Sequence, residues 1–196
     1  MVRDNDPQGR ILLQIARTSI ARALYVPCAA VAVEEHMSWL SKPGATFVTL
    51  IQYGELRGCA GSLKAYDPLL EDVSNNALLA ALHDPRFLPL VKDELDTIKI
   101  EVSLLSQLQP LNFTSEADAL AQLRPNIDGI VLEYELHRST FLPQVWGDLP
   151  EPQQFLAKLK LKARLSEDFW SEKIQLSRYT ARKWREIDNF KECAHG

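Results

Sequence analysis

The chain is poor in the features that announce common functions, and each shortage excludes something. Only three cysteines occur in 196 residues, Cys28, Cys59 and Cys193, with no CxxC pair. An odd, scattered set excludes a disulfide framework and a zinc knuckle, and fits a reducing compartment. The four histidines, His36, His83, His137 and His195, show no HxxH or HxH spacing, so no metal site is expected. No apolar run approaches the roughly 20 residues that cross a bilayer, so no membrane association is expected. The first residues, Met1 to Asp6, lack the apolar segment of a signal peptide, and a cytoplasmic location is expected. Basic excess is missing too: 22 Lys and Arg face 26 Asp and Glu, for a formal net charge of -4. A duplex-binding surface normally carries a basic stripe, so nucleic acid is a poor first partner. The one local patch, Lys158, Lys160, Lys162 and Arg164, reads as cations at a helix C-terminus. Walker, GxGxxG and GxSxG motifs are absent, which removes the common nucleotide and hydrolase readings. No cofactor is indicated.

What remains is an ordinary globular mix, 46% hydrophobic and 24% charged. Asp6-Pro7 is a helix opening, and small or apolar residues from Ile11 to Leu24 then recur on one face until Pro27. Thr46 to Tyr53 is β-branched and aromatic with apolar residues on both faces, the pattern of a central buried strand. Gly54-Glu55 turns into a hairpin partner beginning at Leu56. Asp67-Pro68 opens a helix that stops before Asp84-Pro85. Ile98, Ile100, Val102 and Leu104 alternate with Lys99, Glu101 and Ser103, a strand with one buried face. A short helix is predicted at 115–123, strands near 130–134 and after Arg138, a helix from Pro150–Pro152, and a last strand at 174–179. Strict βαβ alternation is absent, so the class is α+β. One domain over 9–180 is expected, with a minor part at about 106–150 where prolines and short elements cluster, followed by a tail at 181–196.

Three groups of residues are capable of chemistry. In Arg57-Gly58-Cys59-Ala60-Gly61-Ser62, two glycines flank a cysteine, so the backbone has freedom to take positive φ and offer its N–H groups to a ligand. Such groups and the Arg57 guanidinium would stabilise a thiolate or bind an anion. Two-residue spacing along the strand would let Glu55 position Arg57. A tight strand end with Cys59 as a small buried hydrophobe is the competing reading. Glu101 and Ser103 share a strand face, where Glu101 would accept a proton or hold Arg57 or Arg86; a solvated face with a structural ion pair competes. Phe141 to Trp146, with Gln144 as its amide, would line an apolar pocket or fill the core. A Cys59–His83 nucleophile pair is conceivable, against a plain capping role for His83.

Leu56-Arg57-Gly58-Cys59-Ala60-Gly61-Ser62-Leu63, Asp84-Pro85-Arg86-Phe87, Glu101-Val102-Ser103-Leu104-Leu105, Asp128-Gly129-Ile130 and Phe141-Leu142-Pro143-Gln144-Val145-Trp146, taken together and in order, resemble the AMMECR domain family. Its bacterial and archaeal members are called AmmeMemoRadiSam system protein A. The resemblance spans about residues 9–180. It implies an α+β fold in which a mixed β-sheet flanked by helices carries a smaller subdomain. It also implies Memo-like and radical SAM proteins encoded nearby as partners. No reaction comes with it. The family's usual candidate site is Leu-Arg-Gly-Cys-Ile-Gly, which falls on residues 56–61 with Ala60 in place of isoleucine.

Two functions follow as expectations. In the first, the chain is an enzyme or enzyme accessory with Cys59 as nucleophile or thiol acid–base. Arg57, Gly58 and Gly61 would bind an anion, Glu101 and Arg86 would orient the site, and Ser103, Gln144 and Trp146 would contact substrate. In the second, the chain is a binding or adaptor module for a protein or RNA, and Cys59 is structural.

Overall fold

The computed structural model describes residues 6–28 and 35–187; Cys193 and His195 lie outside them. The described chain contains four α-helices, eight strands and three short 3-10 segments. It divides into two compact units, residues 1–105 with 182–196, and residues 106–181. No described helix is long and apolar enough to cross a membrane. The α+β class read from the sequence holds. The strands form two four-stranded sheets, and every pairing resolved residue by residue is antiparallel.

In the first unit, α1 (Pro7–Ala23) starts as expected: Asp6 is the N-cap and its carboxylate accepts the N–H of Gln8. The sheet runs β2-β1-β3-β8, with β1 Thr46–Gln52, β2 Glu55–Gly61, β3 Ile98–Leu105 and β8 Ala181–Arg185. Val48, Leu50, Ile100 and Val102 are fully buried and cluster with Leu12, Ile20, Val73 and Ala77 of α1 and of α2 (Leu69–Leu82). One face of the sheet is therefore the helix-covered core face. The strand β8 falls in the segment read as a tail. Its short run ARKWR has one apolar anchor, Trp184, and five residues with three cations give no period-2 signal strong enough to read.

Glu186, just past β8, is buried against Arg17. The Arg17 Nε lies 2.5 Å from Glu186 Oε1, and its Nη1 and Nη2 donate to the carbonyls of Leu95 and Ile98. Glu186 also accepts the N–H of Ile100 at 2.8 Å. Buried charges persist only when paired and hydrogen-bonded, and this pair ties α1, the start of β3 and the end of β8 together.

In the second unit the sheet runs β4-β7-β5-β6, with β4 Gln109–Pro110, β5 Gly129–Tyr134, β6 His137–Phe141 and β7 Gln175–Tyr179. The helices α3 (Glu116–Gln122) and α4 (Pro152–Lys162) supply Ala119, Phe155, Leu156 and Leu159 to a core with Ile130, Leu132, Trp146 and Leu176. Ser115 caps α3 by accepting the N–H of Asp118. Lys160 lies in the last turn of α4, as the reading of a helix-end cation expects. Its side chain is buried, paired with Glu116, and set 5.7 Å from the centre of the Trp170 ring. Cys28 departs from the expected reduced set, being disulfide-bonded.

Candidate functional site

The cysteine motif is a strand rather than a loop. All of Glu55–Gly61 lies in β2, where Cys59 sits opposite Thr49 and Thr49 opposite Glu101. Directly opposed residues share a face, so Cys59, Thr49 and Glu101 form one row across three strands. Gly61, Phe47 and Ser103 form the next row. Both rows lie on the side turned away from α1 and α2, because Gly58 and the Val48–Val102 set occupy the helix side.

The two glycines serve packing. A Cβ on Gly58 would collide with the backbone carbonyl of Ala80 in α2, and one on Gly61 would collide with the Phe47 ring. Neither has positive φ; among the described glycines only Gly54 does, in the β1–β2 turn. The expected cradle of N–H groups in a left-handed loop is thus replaced by close backbone approach.

Arg57 is also placed differently from its expectation. The β1–β2 register shifts between Leu50 and Ile51, which leaves Arg57 as the extra residue of a bulge. Two-residue spacing then no longer sets its direction, and its partner is Glu94 instead of Glu55. Nε and Nη2 donate to the two Glu94 oxygens at 2.8 and 2.9 Å, which raises Arg57 and lowers Glu94 from their ordinary pKa values. The remaining nitrogen, Nη1, is buried with no hydrogen-bond partner among the described residues.

Glu101 holds neither Arg57 nor Arg86. Although it lies on the face opposite the apolar set, as its alternation predicts, only 8% of it is exposed. Its oxygens lie 2.5 Å from Lys183 Nζ and 3.3 Å from Arg185 Nε, two cations of β8. Ser103 is buried beside it.

The cation tied to the Cys59 main chain, through Asp84, is Arg86. The Cys59 N–H donates to Asp84 Oδ2 at 2.8 Å. Arg86 Nη2 donates to the same oxygen at 2.6 Å, while Arg86 Nε and its own N–H donate to Oδ1. The side chain of Asp84 is 3% exposed and that of Arg86 54%. Arg86, the largest influence, and the N–H of Cys59 hold the Asp84 carboxyl well below the usual carboxylate range. Arg86 is raised, chiefly by Asp84 and to a smaller extent by the charge of Cys59. Cys59 is half-buried, and its sulfur lies 3.4 Å from the Thr49 hydroxyl.

His83 is exposed at the end of α2, and its ring makes no hydrogen bond among the described residues. A Cys59–His83 pair is not formed. Gln144 and Trp146 belong to the second unit. Gln144 is exposed, whereas Trp146 is a core residue stacked on Phe155 at 3.8 Å, its Nε1 donating to the Asp128 carbonyl. Among the described residues, no group of three His, Cys, Asp or Glu is placed to hold a metal ion.

Sequence reasoning named the Asp84–Phe87 segment without giving Asp84 a role, and passed over Thr49, Glu94, Lys183 and Arg185 as members of the site. Thr49 alternates with the buried Val48 and Leu50, which was a usable signal. The other four reach the site through pairings across long stretches of chain.

A family model described as AMMECR1 matches residues 13–184. A protein of Methanothermobacter thermautotrophicus is 34% identical over 183 residues, covering 91% of this chain and 94% of its own. One from Aeropyrum pernix is 35% identical over 191 residues, covering 94% and 81%. The crystal structure of uncharacterized protein PH0010 from Pyrococcus horikoshii superposes with a TM-score of 0.83 at 28% identity, over 94% of this chain and 93% of that one. With a match over most of its length and relatives of this similarity, the chain belongs to the AMMECR1 family.

Proposed function

We propose that the chain is an enzyme or enzyme accessory whose working group is the Cys59 thiol. The observation that carries this is the arrangement around one residue: the Cys59 main chain is pinned by Asp84, Asp84 is ion-paired to the half-exposed Arg86, and the sulfur faces Thr49 away from the helices. Pinning the backbone fixes the position of the thiol, whose thiolate would be the nucleophile. Asp84 engages Arg86 through Nε and Nη2, so Nη1 is left for an anionic group of a substrate. The pathway part of this reading, cooperation with Memo-like and radical SAM proteins, is supported by the family resemblance alone; affinity purification from the host tests it.

Alkylation of the native protein with iodoacetamide across pH tests the chemistry. Cys59 is expected to label without unfolding. Arg86→Met is expected to slow labelling several-fold near neutral pH. If Cys59 labels only in denaturant, the reading fails.

A second reading, a binding module for a protein or RNA with a structural Cys59, is favoured by the motif itself. Gly58, Gly61 and Arg57 all have packing or pairing jobs, which leaves one chemically free residue in six. Under that reading Cys59→Ser leaves partner affinity intact; under the first it abolishes function while the protein stays folded.

A further inference from the structure

Buried or half-buried arginines in the described chain number three: Arg17, Arg57 and Arg178. The first two each face a carboxylate, Glu186 and Glu94. Arg178 has no ion pair and no hydrogen bond from its side chain among the described residues, and its Nε is fully buried without an acceptor.

Its placement makes that costly. In the second sheet Leu176 opposes Leu132 and Arg178 opposes Ile130, so Arg178 shares a face with two core residues that pack against Phe155, Leu156 and Leu159 of α4. The full row across the four strands is Gln109, Arg178, Ile130 and Phe141. An apolar side is thus followed by the guanidinium and then by an exposed amide at the sheet edge. A charge brought to a packed face without a counter-charge is destabilising unless something supplies the missing acceptor. Arginine presents its donors as a planar fork that matches a carboxylate or a phosphoryl group in two contacts. The apolar neighbours lower the local dielectric and strengthen such a contact.

We propose that Arg178 is the anchor of a second ligand site, which takes an oxyanion, a carboxylate or phosphoryl group entering beside Gln109. The site is independent of Cys59 and of the thiol chemistry proposed above. Nε and Nη2 of Arg178 meet the anion's oxygens side-on, and Gln109 supplies an amide donor at the rim.

The test is titration of the full chain with inorganic phosphate and, separately, with acetate at constant ionic strength, following the Arg178 Nε–Hε resonance. A saturable shift with either anion is expected, and whichever saturates identifies the class. A matching rise of a few degrees in thermal midpoint is expected at saturation, since a ligand that binds only the folded state stabilises it. Arg178→Gln should lose that rise. Arg178→Lys, which keeps the charge without the fork, should bind more weakly than the parent. No saturable shift with either anion up to about 50 mM, where a millimolar site would be filled, overturns the proposal. So does an equal thermal response in Arg178→Gln. A trapped water on Nε would give the first of these results.

Discussion

The two faces of the first sheet obey different rules. On the helix side, Val48, Leu50, Ile100 and Val102 are fully buried, Gly58 is small because Ala80 leaves no room, and the charge at that core's margin is closed by Arg17 and Glu186. On the other side the same strands present Cys59, Thr49, Glu101 and Ser103, with Lys183 and Arg185 reaching over from β8. Identical backbone geometry therefore carries two kinds of selection, one for volume and one for polar placement. The pleat separates them because neighbours in sequence point to opposite faces. The lesson is that Arg57-Gly58-Cys59 should not be read as one unit. Gly58 serves the core, Cys59 the polar face, and Arg57 is displaced by a bulge to Glu94.

If the helix side is governed by completeness, breaking its charge pair should produce the largest effect. Arg17→Met leaves Glu186 buried without its partner and should cost about 3–5 kcal/mol by denaturant unfolding. A loss below about 1 kcal/mol would show that Glu186 finds water instead. Next in size is Gly58→Val. Its side chain must displace the Ala80 carbonyl or the strand, which should cost about 1–3 kcal/mol, the usual range for overpacking. Cys59→Ala, one residue along on the other face, should cost less than Gly58→Val; if it costs more, the division of labour between the faces is wrong.

The third effect depends on pH. Asp84 has its carboxyl pKa depressed in the folded protein below the ordinary 3.8. Its contribution to stability is then fully present above that ordinary value and is lost as pH falls toward the folded value. Asp84→Asn should lower stability at neutral pH and flatten the decline below about pH 4. Thermal midpoints of both proteins between neutral and acid pH check this; parallel curves would show that Asp84 does not titrate with folding. The smallest effects belong to Lys183→Ala and Arg185→Ala taken singly, about 0–1 kcal/mol each, because both cations are partly exposed. The double variant strips buried Glu101 of both partners, so its cost should exceed the sum of the two, a double-mutant measurement of the coupling.

Much of the fold was legible because its signals are local. Asp6-Pro7 marked the start of α1, the alternation of Ile98 to Leu104 marked β3 and its buried face, and the β-branched run at Thr46 marked a central strand. The short strands β4 and β8 were missed, since two and five residues carry too little pattern. In the site, Cys59, Glu101 and Arg86 were named from residue chemistry. Their partners were misassigned, because Glu101 is paired by cations some 80 residues away and Cys59 is pinned by Asp84 from beyond α2. Trp146 shows the same limit from the other direction. Its composition fits a pocket wall as well as a core, and only the stack on Phe155 decides between them.

By itself the amino-acid sequence determined the α+β class, most helix and strand positions, and the motif set that marks the AMMECR1 family, because caps, turns and periodicity act over a few neighbouring residues. Tertiary structure alone decided which cation is tied to the Cys59 main chain, why the motif's glycines are glycines, and which half-buried arginine lacks an anion. Those outcomes depend on register, on a one-residue bulge and on contacts between distant segments, and no local pattern encodes a distance across the fold.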